Sequence, residues 1–229
     1  MNRLLVVGSH AMDAEIIGGG LAVALRRVGW ETRMYHLTRG ERGLSDRAPE
    51  DFAAQLLSEM AQAADVLGTQ WQWAGFRAPL PESPDVTGSI ASAISEFRPS
   101  LVITHWIGSW HESHRRTHRA TIEAVAQSKD MDIDVAFGEN LEDLTGFVPN
   151  GFVDVSDIAE VWLRALRCYE LFRRTEPGGI GGKIPYHDYY STMLRVRGMQ
   201  SGNERSLAIM TTGPSAHEIP LVSRVPVPG

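Results

Sequence analysis

The chain has 229 residues, 43% hydrophobic and 22% charged, with a net charge of −6. This composition supports a large buried core and excludes a disordered chain or a general phosphate binder of nucleic acid. The single cysteine, Cys168, excludes an internal disulfide and cysteine-based zinc sites, and its place among Leu163, Leu166 and Leu171 reads as a buried core thiol.

Residues 3–7 form a short apolar run and read as a buried strand. From 15 to 28, Ile16, Ile17, Leu21, Ala24, Leu25 and Val28 follow a helical period that Gly29 closes. A second strand spans 32–37, before the charged, glycine-rich loop "TRGERG" at 38–43. The segment 49–68 predicts a helix, with Pro49 and two acids at its start and Gly68 at its end. Residues 70–76 predict a third strand, 79–84 a proline-rich loop, and 90–97 a helix ended by Pro99. A fourth strand, "LVITHW", covers 101–106, and 111–128 is helical with Ala120, Ile122, Ala124 and Val125 as its apolar positions.

Residues 133–138 and 151–156 are strand-like, and Ser156-Asp157 caps a helix over 158–173. "PGGIGG" at 177–182 is a loop before a last helix at 187–198. The proline-rich tail, 213–229, reads as an extended arm that would serve self-association. Alternating strands and helices predict one α/β domain over 1–229, a Rossmann-like, mostly parallel sheet with helices on both faces. No window approaches the roughly 18 apolar residues of a membrane helix and no charged leader opens the chain, so the expectation is a cytoplasmic protein.

In such sheets ligands bind beyond the carboxyl ends of strands where the strand order reverses. That rule singles out the loops after the first and fourth strands, "GSHAMDAE" and "HWIGSWHESH". His10 and Asp13, three apart at a strand-to-helix junction, can turn to one point. One histidine of "HESH", His111 or His114, would complete a three-ligand site for Zn2+ or another divalent metal, and the other would face substrate as a proton donor. His105 either lines this pocket or makes a structural hydrogen bond. Arg39, Arg42, Trp106 and Trp110 are candidates for a substrate-binding floor. His36, His187 and His217 carry no such claim from spacing, and His118 reads as a packing or supporting residue. "GGG" at 18–20 lies inside the first helix, which speaks against a dinucleotide-binding turn.

"GSHAMDAEIIGGGLA", "LTRGERG", "LG" at 67–68, "HESHRRTH", "GFVPNGFVDVSD" and "RVRG" occur in the order seen in the PIG-L (LmbE-like) zinc deacetylases. The sequence resembles that family over residues 3 to 198. The resemblance implies a Rossmann-like fold, zinc, and hydrolysis of the N-acetyl group of an N-acetylglucosamine-like small molecule. It implies His10, Asp13 and His114 as metal ligands, and His111 as the residue that assists the tetrahedral intermediate or protonates the leaving amine.

The departures lie at the proton acceptor. The family's first motif reads His-Pro-Asp-Asp-Glu, and its first aspartate, the general base, falls here on Met12. Its glutamate falls on Ala14, with Glu15 one place later. The aspartate of the second motif, His-x-Asp-His, falls on Ser113, with Glu112 beside it, and "ERSLAIMTTG" replaces a C-terminal acidic signature. Glu15, Glu112 and Glu139 are candidate substitutes for the base, Glu15 being placed in the first helical turn where it would otherwise only favour the helix dipole. Asp13 would otherwise serve as both ligand and base. Two activities follow: a zinc-dependent N-acyl amidase, or a weakened member that binds a sugar or nucleotide-sugar without turnover.

Overall fold

The structure is a computed structural model and describes residues 2–43, 46–143, 145–174, 185–211 and 219–224. Its strands are β1 (Arg3–Gly8), β2 (Glu31–Thr38), β3 (Gln70–Phe76), β4 (Leu101–Thr104), β5 (Asp134–Gly138), β6 (Gly151–Asp154), β7 (Ser206–Met210) and β8 (Val222–Arg224). They form one sheet in the order β3-β2-β1-β4-β5-β7-β6-β8. The first five are parallel, and β7, β6 and β8 add antiparallel pairs at one side. The strand order reverses between β1 and β4, so the loops after these strands open on a common mouth.

The period-2 alternation of β1 divides the core. Leu4 and Val6 pack with α1 (Gly20–Arg26), α2 (Pro49–Leu67), α5 (Ala159–Leu166) and α7 (Tyr186–Ser201). Leu5 and Val7 pack on the other face with α3 (Pro84–Phe97) and α4 (Glu112–Gln127). Burial on both faces explains why these strands are continuous apolar runs. A π-helical turn, Glu15–Gly19, precedes α1. A Cβ on Gly18 would come within 2.5 Å of Val6 Cγ2, so the absence of a side chain is what lets this helix lie on β1.

Several sequence expectations shift. Helix α3 begins well before residue 90, because Pro84 fits the first helical turn and Ser83 accepts the Asp85 N–H at 3.2 Å. Ile122 is exposed, and Thr117 and Thr121 take the buried face of α4 beside Ala120 and Ala124. The helix expected over 158–173 breaks after Leu166 and resumes as α6 (Glu170–Arg173), which buries Tyr169 at the break. "SLAIM" is a strand, β7, seated between β5 and β6. Part of the expected arm is instead the edge strand β8, hydrogen-bonded to β6. The 177–182 loop lies outside the described residues. Cys168 is only half-buried, packed at the margin of the core. Among the described residues no helix is long and apolar enough to cross a membrane.

Candidate metal centre and cavity

The loop after β1 is shaped by Met12, whose φ of +77° lies in the left-handed region that side-chain-bearing residues seldom adopt. This turn brings His10 and Asp13 back on each other. Asp13 Oδ2 accepts the His10 N–H at 2.8 Å and lies 3.0 Å from His10 Nδ1. The same oxygen lies 3.3 Å from His114 Nε2 and 3.5 Å from His105 Nε2. His114 comes from the first turn of α4, where Ser113 and His114 face inward. His111, just before α4, stacks on His114 with ring centroids 4.6 Å apart and meets the His10 ring edge-on at 4.9 Å.

Two overlapping triads with metal-ligating geometry result, His10–His111–His114 and Asp13–His105–His114. The ligands expected from the sequence, His10, Asp13 and His114, draw on both. Tetrahedral zinc bonds of about 2.0–2.1 Å place neighbouring ligand atoms about 3.3 Å apart. The 3.0 and 3.3 Å separations from Asp13 Oδ2 match that edge, so Asp13 is spaced from each imidazole as two ligands of one small divalent cation are. His105 is less suited as a ligand, because its Nε2 already accepts the Ser9 N–H at 3.1 Å.

Burial works against the Asp13 charge, but the His114 ring and the His10, His105 and His114 nitrogens beside its carboxylate outweigh it and hold the carboxyl well below its usual range. The imidazoles go the other way. Burial and the His105 ring bring His114 down to about 3, and burial with His114 and His10 brings His111 down to about 4. Burial also lowers His105. All three are therefore neutral at pH 7, the state a metal ligand requires.

A pH dependence follows. The folded protein binds fewer protons at these histidines than the unfolded chain does below about 6.5. Their stabilising effect is complete above that value and is lost as pH falls towards about 4 and then about 3. The metal-free protein should show a falling urea midpoint across this range, with a shallower fall in His111→Asn. A midpoint unchanged across it would refute the assignment.

The centre opens into a cavity of about 330 Å³. Arg39, Arg42, His111 and Ser113 line it, together with the apolar side chains of Phe52, Leu56 and Leu171. The Arg39 guanidinium lies 4.5 Å over the Trp73 ring. Trp106 is not in the wall: its Nε1–H donates to Thr145 O at 2.8 Å and its ring packs on Phe137. His105, fully buried, sits behind Asp13 rather than in the wall.

The substitute bases named from the sequence are engaged elsewhere. Glu15 is fully buried with Oε1 3.3 Å from His36 Nε2, away from the cavity wall. Glu139 is paired with Arg197, and Glu112 with Arg115 and Arg116 on the surface of α4. The sequence reading missed Asn140 and Glu142, which line the cavity from the loop after β5. The signal available was position, since β5 adjoins β4 and its trailing loop opens at the same end of the sheet.

Fold and cluster together define a Rossmann-like α/β protein with an open histidine–carboxylate centre at the switch point of its sheet. The chain belongs to the PIG-L family (GlcNAc-PI de-N-acetylase), which matches residues 5–125. It is 29% identical over 186 residues to the diacetylchitobiose deacetylase of Thermococcus kodakarensis, covering 74% of this chain and 70% of that protein. Among solved structures, the 4-carboxy-2-hydroxymuconate hydratase GalB of Pseudomonas putida KT2440 superposes with a TM-score of 0.80 at 19% identity, covering 93% of this chain and 97% of its own. The N,N'-diacetylchitobiose deacetylase of Pyrococcus horikoshii gives 0.74 at 22% identity, with coverage of 95% and 86%. At these identities the structural likeness speaks for the fold.

Proposed function

We propose that the protein is a metal-dependent hydrolase that cleaves the N-acyl amide, in the simplest case N-acetyl, of an amino-sugar-like small molecule. The observation that carries this reading is Asp13 Oδ2 lying 3.0 Å from His10 Nδ1 and 3.3 Å from His114 Nε2 beside a solvent-open cavity. Membership of a de-N-acetylase family and similarity to a diacetylchitobiose deacetylase support the choice of bond and substrate.

His10, Asp13 and His114 would hold the cation, Zn2+ by their donor chemistry. A divalent metal held there would supply Lewis-acid polarisation of the amide carbonyl and a lowered pKa of water, towards about 7. Asp13 stays ionised and supplies negative charge to the centre. His111 is neutral and lines the cavity, so its ring can direct an N–H at the developing oxyanion. Arg39 and Arg42 give the cavity positive charge and donors for hydroxyl or carbonyl oxygens, while Phe52 and Leu56 offer surface to the acyl group or a ring face. The second reading, a sugar or nucleotide-sugar binder without turnover, draws on Met12, which supplies no base where the family keeps an aspartate.

One experiment separates them. Purified protein is assayed for metal and then offered a panel of N-acyl amino sugars with fluorescent detection of released amine. Stoichiometric metal and amine release that stops on chelation are expected. A metal-loaded protein that binds members of the panel and releases no amine overturns the hydrolase in favour of the binder.

A further inference from the structure

Amide hydrolysis needs a group that takes a proton from the attacking water and returns one to the leaving nitrogen. Met12 lies in the cavity wall and offers only a thioether. Among the described residues, Asp13 and Glu142 are the two acids that line the cavity. Asp13 is committed to three imidazoles and the His10 N–H.

Glu142 is differently placed. Its backbone is tied on both sides: its N–H donates to Asn140 Oδ1 at 3.3 Å, and its carbonyl accepts the Trp110 N–H at 3.0 Å. The loop is closed further by the Asn140 N–H on Asp143 Oδ2 at 3.1 Å and the Leu141 N–H on Tyr190 Oη at 3.2 Å. The residue is 8% exposed, and its carboxylate is met by its own backbone N–H, with no ion pair from another side chain among the described residues. A carboxylate so buried costs stability unless something compensates it. This loop places the group in the cavity wall it shares with His10, Asp13 and His114 and leaves its oxygens to whatever enters the cavity. Asn140, 3% exposed, likewise has an Nδ2 without a partner in the same wall.

Building on the hydrolase reading above, we propose that Glu142 is the proton acceptor and donor of the reaction, carried on the loop after β5 instead of the loop after β1. Its carboxylate takes a proton from water as the water oxygen bonds to the acyl carbon. The C–N bond then breaks with its electron pair going to nitrogen, and Glu142 passes the proton to that nitrogen. The products are a carboxylic acid and an amine, and Glu142 ends as it began. Burial and the Asp13 charge push its carboxyl up to about 7, partly opposed by its own backbone N–H and by His10, which suits a group that must both accept and release a proton near neutrality.

The test compares full-length wild type, Glu142→Gln and Glu142→Ala, each metal-loaded and matched for metal content and thermal midpoint. Loss of a general base predicts a fall of about 10²–10⁴ in amine release for Glu142→Gln with metal retained. Added formate should restore part of the rate to Glu142→Ala, because a small carboxylate fits the space left. A separate reading needs no turnover: between about pH 5 and 9, the metal-free wild type should release one more proton than Glu142→Gln. A Glu142→Gln rate within roughly threefold of wild type overturns the assignment and leaves the hydrolase standing. Lack of formate rescue, or equal proton release, also overturns it, by giving Glu142 a structural role. A metal-loaded wild type inert on every N-acyl substrate removes the hydrolase and this inference together.

Discussion

His114→Ala is expected to abolish metal binding and amine release together. His114 belongs to both overlapping triads, and its Nε2 is 3.3 Å from the Asp13 oxygen at their centre. Its ring stacks on His105 at 3.9 Å and on His111 at 4.6 Å, so its removal also takes away the surface that positions both neighbouring imidazoles. Without it only His10 and Asp13 remain of the three proposed ligands, short of the three that a catalytic zinc centre uses, and both triads lose their shared member. Removing electrostatic stabilisation at the reacting carbonyl costs at least about 10²–10³ in rate, and loss of the whole cation should reach or exceed the upper figure. His118→Ala is the control. His118 Nδ1 bonds to His105 O at 2.9 Å and the residue does not line the cavity, so its variant should keep stoichiometric metal. Metal analysis after dialysis and the amine assay decide the matter. A His114→Ala protein that keeps both metal and rate would mean the cation, if any, sits elsewhere.

The parallel half of the fold was legible because its central strands β1 and β4 are short buried runs and the helices beside them repeat at their own period. β1 shows why: four aliphatics in sequence serve two cores, Leu4 and Val6 on one face and Leu5 and Val7 on the other. The antiparallel side was not, since β7 owes its place to pairing with β5 and β6 rather than to any local pattern. The same distinction runs through the site. His10 and Asp13 declare themselves by spacing, because a turn of a few residues brings both to one point. Glu142 carries no such mark: an acid in a polar loop looks alike whether it faces bulk water or a cavity. Glu15 misled for the opposite reason. An acid at the start of a helix usually meets water, and only the alignment of β1 with β2 reveals the histidine against it.

That contact carries the second large effect. Glu15 and His36 are both fully buried, with Glu15 Oε1 3.3 Å from His36 Nε2. On the far side of the ring, His36 Nδ1 lies 3.3 Å from the His10 carbonyl, so it can donate a hydrogen bond to the backbone of the metal-binding turn. Burial alone would lower the His36 pKa, but the Glu15 charge and these hydrogen bonds raise it above its usual value. Removing one partner of a buried pair leaves an uncompensated charge, so His36→Ala should destabilise the protein by about 3–5 kcal/mol. Adding Glu15→Gln to that variant should recover part of the loss, since the stranded charge is gone. The sign with pH is set by the raised pKa. The stabilisation is full below the unfolded value of about 6.5 and drains away as pH rises through the folded one. His36→Ala should therefore cost more in urea denaturation at pH near 6 than at pH near 9. It should also weaken metal binding by about 10–100-fold, the usual effect of removing a support behind a ligand. Equal losses at both pH values would show that the ring acts by packing alone. An unchanged metal affinity would show that the turn holds His10 in place without the bond to its carbonyl.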